Sequence, residues 1–154
     1  MLLFGTVCCC LIWFSLTGCQ PTASLQTEPP AKDMDVEYIT SPEMAALRLP
    51  FSEAVRVNHM LYLSGQIGTL PGTTELVKGG IQPETRQTME NIKKVLEANG
   101  SSLDHVVKVT VMLADITEWP ALNEVYVDYF PNHKPARSAF AAETAPLASA
   151  CVVD

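Results

Sequence analysis

Basic residues are scarce in this chain: 10 lysines and arginines stand against 17 acids, a formal charge of -7. The longest basic run is the pair Lys93-Lys94, so the surface repels phosphate backbones and nucleic-acid binding is disfavoured. The three histidines, His59, His105 and His133, are scattered without an HxxxH spacing, and no CxxC pair occurs. A metal site is therefore not expected. Four of the five cysteines, Cys8, Cys9, Cys10 and Cys19, fall in or directly after the first apolar run. Cys151 stands alone in the later part, which cannot form an internal disulfide. Long apolar runs are missing too: the uncharged stretch 2–16 is shorter than the ~20 residues of a membrane span.

What is present suits one domain with an extension. Hydrophobic residues make up 47% of 154, enough to build a core. The length of stretch 2–16 fits the apolar region of a signal peptide, although no lysine or arginine precedes it. It ends in Leu16-Thr17-Gly18-Cys19, which resembles a bacterial lipobox, with Cys19 as the lipid acceptor. The reading is a lipoprotein-type signal over 1–18, a Pro/Thr/Ser-rich tether over 19–35 and a globular domain over 36–154. It places the domain at the bacterial cell envelope, held to the membrane on its periplasmic face through lipid on Cys19. A cytoplasmic protein with a misplaced start codon is the alternative.

Within the domain, "VEYIT" reads as a strand, and "EAVRVNHMLYLSGQIG" as a hairpin turning at Asn58-His59 and stopped by Gly65 and Gly68. Residues 69–80 form a loop. "IQPETRQTMENIKKVLEANG" reads as a helix with Pro83 at its first position, an apolar face of Met89, Ile92, Val95 and Leu96, and Gly100 as terminator. "HVVKVTVML" alternates as a strand. "TEWPALNEVYVDYF" places Leu122, Val125, Tyr126 and Tyr129 on one helical face before Pro131. "ARSAFAAE" and "ASACVVD" are two further strands. The order β-β-β-α-β-α-β-β describes an α+β fold, a mixed sheet with two helices on one face. Residues 136–154 hold one cation, Arg137, in a mostly apolar setting. Stranding such a charge is costly, so an anion is expected to face it.

Three stretches resemble the Rid family of reactive-intermediate deaminases (RidA/YjgF type, also labelled endoribonuclease L-PSP). They are "LPFSEAVRVNHMLYLSGQIG", the run from Gly79 to Pro131, and "KPARSAF"; Ser64-Gly65-Gln66 and Pro135-Ala136-Arg137-Ser138 carry most of the likeness. The resemblance implies a chorismate-mutase-like fold and a homotrimer with a pocket at each subunit interface. It further implies hydrolysis of 2-imino acids to 2-keto acids and ammonia without a cofactor. Arg137 matches the family arginine that grips the substrate carboxylate, a task suited to the planar guanidinium fork. Its alternative partner is Glu143 or a neighbouring subunit's acid. Ser64 and Gly65 match the stretch lining the substrate's other end, or else merely terminate a strand.

Several positions depart from the pattern. Phe51 stands where a tyrosine is frequent, and Ala139 where many members have cysteine. Counted without gaps from Pro135, the pocket glutamate's place falls on Val152, which cannot relay protons. Asp154, two residues on, is the weak substitute, and the family's last strand would run several residues further. No catalytic residue is thereby certain. The resemblance leaves two classes of function, an imine deaminase and a non-catalytic trimeric binder of small carboxylates. Ribonuclease activity, a historical family label, finds no histidine pair or basic groove.

Overall fold

Asn58, with φ of 53°, turns the chain back on itself, a left-handed conformation that asparagine tolerates. The turn sets β2 (Ala54–Val57) antiparallel to β3 (Met60–Leu63), with Val57 opposite Met60 and Ala54 opposite Leu63. β1 (Val36–Ile39) pairs with the other side of β2, Tyr38 facing Val55. The computed structural model describes residues 34–142 and 150–152. A short helix absent from the sequence reading, α1 (Pro42–Ala46), follows β1. Its start is signalled locally: the Ser41 hydroxyl accepts from the Met44 N–H at 3.3 Å, Pro42 opens the helix and Glu43 sits in the first turn.

The strand ends at Leu63 but does not stop for good at Gly65; it resumes as β4 (Gln66–Ile67). There a second ladder begins, in the order β4-β7-β5-β6. β5 (Lys108–Leu113) runs parallel to β6 (Ala136–Ala141), Val109 level with Arg137, and β7 (Ala150–Val152) is antiparallel to β4 and β5. The sheet is mixed, as expected. β5 starts at Lys108 rather than His105, because residues Leu103–His105 close a 3-10 turn through His105 N–H to the Ser102 carbonyl.

α2 (Ile81–Ala98) opens two residues earlier than expected, with Pro83 third rather than first. The missing proline N–H costs nothing there, since the first intrahelical bond is made by the Glu84 N–H to the Gly80 carbonyl. At the other end Gly100 takes φ of +74°, and two bonds reach back, Gly100 N–H to Glu97 and Ser101 N–H to Leu96. This is the left-handed cap in which glycine avoids a Cβ penalty. The second expected helix is divided: α3 (Trp119–Tyr126) tightens into a 3-10 turn over Val127–Tyr129 before Pro131.

Both long helices cover one face of the sheet. Val109, Val111 and Leu113 of β5 are buried against Met89, Ile92 and Leu96 of α2 and Leu122 and Tyr126 of α3. Each fully buried side chain of this size contributes about 1.5–3 kcal/mol. The buried hydroxyls of Thr85 and Thr88 donate to the carbonyls of Ile81 and Glu84 one turn back, so they enter the core satisfied. Asn91 locks α2 to β4 by donating to the carbonyls of Ile67 and Thr69, both at 3.0 Å. Next to it Gly68 lies so close to α2 that a Cβ would stand 2.8 Å from the Glu84 Cα.

The opposite face carries no helix. By register it holds Tyr38, Val55 and Tyr62 in one row, Val57 and Met60 in the next, and Phe140 beside Met112. Tyr38 is 74% exposed and Met60, Tyr62 and Phe140 close to half. Among the described residues no helix is long and apolar enough to cross a membrane. The proposed signal, the tether up to Asp33 and Cys19 lie outside the described residues.

Tyr129 gives the fold a titratable marker. Its hydroxyl donates to Glu90 Oε1 at 2.8 Å, and partial burial together with that carboxylate pushes the phenol from 10 up to about 12. Between those values the unfolded chain ionises and the native one does not, so stability contributed by this phenol is complete below pH 10 and lost as pH rises through about 12. Ultraviolet titration is expected to show a late phenol that vanishes in Tyr129→Phe, and that variant's stability to fall less steeply over the same range. A late phenol persisting in Tyr129→Phe would refute the assignment.

Candidate functional site

Among the described residues Arg137 faces aromatic rings rather than an acid. Its guanidinium lies between two rings of α3, with Cζ 4.5 Å from the Trp119 centroid and 4.5 Å from that of Tyr126. Helical geometry brings the two rings together: seven residues make about two turns, so Trp119 and Tyr126 fall on one face of α3 and both reach the same cation. The strand supplies the other half. Arg137 sits level with the buried Val109, on the helix-covered face of β6. Among the described residues Arg137 takes part in no ion pair; Glu143, its alternative partner, lies outside them.

Stacking and ion pairing use different parts of the group. A ring attracts the cation through its π face, whereas hydrogen bonds use the five N–H donors of the guanidinium. Cation–π contacts contribute about 0.5–2 kcal/mol each, more as water is excluded. They hold the cation in place without consuming its donors.

The entry to α3 is held in place by Asp115. Its Oδ1 accepts from the Thr117 N–H at 2.8 Å and the Thr117 hydroxyl at 2.7 Å. Those bonds, the hydroxyl's first, hold the Asp115 carboxyl below its usual range. Beyond this turn an open concavity is lined by Ile116, Thr117, Trp119, Pro120 and Ala139. Ala139 lies two residues from Arg137 on the same strand face.

The other expected residues gather elsewhere. The Ser64 hydroxyl donates to the Ser52 carbonyl at 2.6 Å and the Ser64 N–H to the Glu53 carbonyl at 3.0 Å. These bonds tie the Phe51–Glu53 segment to Ser64-Gly65, and Phe51 is left about half exposed. Ser64 and Gly65 directly precede β4, at one edge of the second ladder, whereas Arg137 is on β6 at the other. Three strand steps of ~4.8 Å part these edges by ~14 Å. Within one chain Arg137 with Ala139 and Ser64 with Gly65 and Phe51 are therefore two groups that do not meet. Val152 is placed on β7 opposite Thr110, one register position from Val109; Asp154 lies outside the described residues.

Sequence reading missed Trp119 and Tyr126 as the partners of Arg137. A signal was present, because the apolar stripe of Leu122, Val125, Tyr126 and Tyr129 extends one turn back to Trp119. No group of three or more metal-ligating side chains occurs among the described residues.

The endoribonuclease L-PSP family model matches residues 42–152. The chain belongs to that family, the Rid or YjgF proteins. It is 42% identical over 100 residues to the human 2-iminobutanoate/2-iminopropanoate deaminase, covering 65% of this chain and 73% of that protein. To the chloroplastic Reactive Intermediate Deaminase A of Arabidopsis thaliana it is 35% identical over 127 residues, 82% of this chain and 67% of the relative. Among solved structures, the Rid family protein YyfA of Yersinia pestis superposes with a TM-score of 0.70 at 33% identity, covering 77% of this chain and 96% of that one. The α+β arrangement is accordingly the Rid fold.

The clamp is open to a direct measurement. A double-mutant cycle between Arg137→Gln and Trp119→Leu, read by chemical denaturation, is expected to give a coupling of about 0.5–2 kcal/mol. Additive single effects would show that the stacking carries no energy.

Proposed function

We propose that this Rid protein binds a small 2-imino acid by its carboxylate at Arg137 and hydrolyses it to the 2-keto acid and ammonia. The observation that carries this reading is the guanidinium held against the rings of Trp119 and Tyr126 with no ion pair among the described residues. A carboxylate meeting the rim of that fork makes two parallel charge-assisted bonds. Water then adds to the C=N carbon, the nitrogen takes up protons and leaves as ammonia, and the carbonyl remains. Neither metal nor organic cofactor is required for this hydrolysis.

The full site is a shared one in the proposal. The ~14 Å between the ladder's edges keeps Ser64 and Gly65 away from Arg137 in one chain, so a second copy supplies the missing half in a homotrimer. Support comes from the uncovered sheet face, whose Tyr38, Met60, Tyr62 and Phe140 form an apolar surface of the kind that oligomers bury. The names of the human and Arabidopsis relatives agree with the chemistry.

A second reading rests on Val152. If it holds the place of the family's proton-relaying glutamate, the pocket binds carboxylates without accelerating hydrolysis. Positioning alone still leaves the deaminase room, because imines hydrolyse unaided and orientation lowers the barrier. The N-terminal proposal continues from the sequence: lipid on Cys19 anchors the domain at the cell envelope.

Purified protein assayed with freshly generated 2-iminobutyrate is expected to release ammonia above the spontaneous rate, with saturation. Arg137→Ala is expected to cost at least ~10-fold, the loss of a charge-assisted pair. Unaccelerated hydrolysis with saturable 2-ketobutyrate binding would select the binder, and acceleration surviving Arg137→Ala would overturn both. For the anchor, Cys19→Ala is expected to abolish palmitate labelling and free the protein from membranes; unchanged labelling would refute it.

A further inference from the structure

The two rings that hold Arg137 are fixed by different means. Tyr126 is 6% exposed and packs in the core beside Leu122. Its ring also lies against Phe130, with centroids 4.9 Å apart. Burial of this extent leaves an aromatic side chain one place to sit. Trp119 is only partly buried and occupies the first position of α3, where helices fray. Its N–H donates back to the Ile116 carbonyl, so its position follows the turn that precedes it.

That turn is the direct chain connection between β5 and α3. The ladder sets Arg137 level with Val109, and β5 ends at Leu113, whose carbonyl accepts from the Ala142 N–H at 2.9 Å. Between Leu113 and Trp119 the path is set by Asp115. Its Oδ1 accepts from the Thr117 N–H at 2.8 Å and the Thr117 hydroxyl at 2.7 Å. Its carbonyl accepts from the Glu118 N–H at 3.2 Å. Such capping satisfies N–H groups that the start of a helix leaves without a partner. Asp115 is itself exposed and stands outside the hydrophobic core, so its carboxylate acts on the turn and not on core packing.

We infer that Asp115 is a positioning residue for carboxylate binding, holding Trp119 where its ring meets the Arg137 guanidinium. The inference rests on the proposed grip of a carboxylate by Arg137. Loosening the turn releases one of the two rings, and the guanidinium then spends less time in the pose that meets the ligand. The cost falls on affinity, because the freed side chain must be ordered again at each binding event. Asp115 acts through hydrogen bonds rather than through its charge. Asparagine, whose Oδ1 accepts the same two bonds, therefore serves in its place.

Full-length protein is titrated with 2-ketobutyrate by calorimetry, alongside Asp115→Ala, Asp115→Asn, Gly100→Ala and Arg137→Ala. Asp115→Ala is expected to raise Kd at least ~3-fold, within what a lost cap can transmit, and Asp115→Asn to stay within ~2-fold of wild type. Gly100→Ala strains a residue at φ of +74° and so lowers stability outside the turn and the rings; its Kd is expected to be unchanged. Without ligand, the Arg137 side-chain NMR resonances, displaced by the ring current of Trp119, are expected to move in Asp115→Ala toward their places in Trp119→Leu. Wild-type affinity in Asp115→Ala, an unmoved Arg137 resonance, or Asp115→Asn binding as weakly as Asp115→Ala would each overturn the positioning role and leave the Arg137 reading standing. An equal loss in Gly100→Ala would reduce the effect to general stability and overturn it too. Wild type that does not bind, or Arg137→Ala that binds normally, instead overturns the Arg137 reading and the inference with it.

Discussion

A cation that stays on the helix-covered side of a sheet must be compensated, and here two aromatic faces do most of that work. The clamp of Trp119 and Tyr126 around Arg137 depends on α3 lying across β6 with its ring-bearing face inward. That placement depends in turn on the Asp115 turn that starts the helix and on the packing of Leu122 against β5. Aromatic faces differ from a carboxylate in leaving the fork's in-plane donors unspent. In the proposed function this arrangement serves as a preorganised receptor for a planar anion, whose own immobilisation cost is met during folding.

The topology that positions Arg137 also keeps it away from Ser64 and Gly65. Parallel pairing of β5 with β6 puts Arg137 at one edge of the ladder, and the Ser64-Gly65 link sits at the other. No rotation of a side chain closes a gap of three strands. In the proposed function the sheet face without helices offers a means of completion, since Tyr38, Met60, Tyr62 and Phe140 give it an apolar surface of the kind that oligomers bury. Folding energy and recognition are therefore drawn from the same surfaces.

Where local chemistry alone decides conformation, the sequence was readable. Asn58 marks the hairpin, Gly100 the end of α2, and the alternation in Lys108–Leu113 produces three buried side chains on one face. Boundaries were less so: Pro83 is tolerated anywhere in the first turn, so it could not locate the helix start to one residue. α1 was overlooked although Ser41, Pro42 and Glu43 spell its beginning, because five residues are too few to display a period. The partners of Arg137 were illegible for a different reason. A contact between β6 and α3 arises from tertiary packing, and an unpaired arginine in an apolar run suggests an acid before it suggests two rings. The pairing of Val152 with Thr110 likewise needed the strand register.

The central claim is that Arg137 of one copy and Gly65 of another build one binding site. Mixed oligomers test it most directly. Chains carrying Arg137→Ala are co-refolded with chains carrying Gly65→Val, each inactive in 2-ketobutyrate binding when assembled alone. Because some interfaces in the mixture join an intact Arg137 to an intact Gly65, binding is predicted to reappear at a fraction of the wild-type capacity. If the mixture binds no more than its two parents, the site is not shared between copies and the account fails.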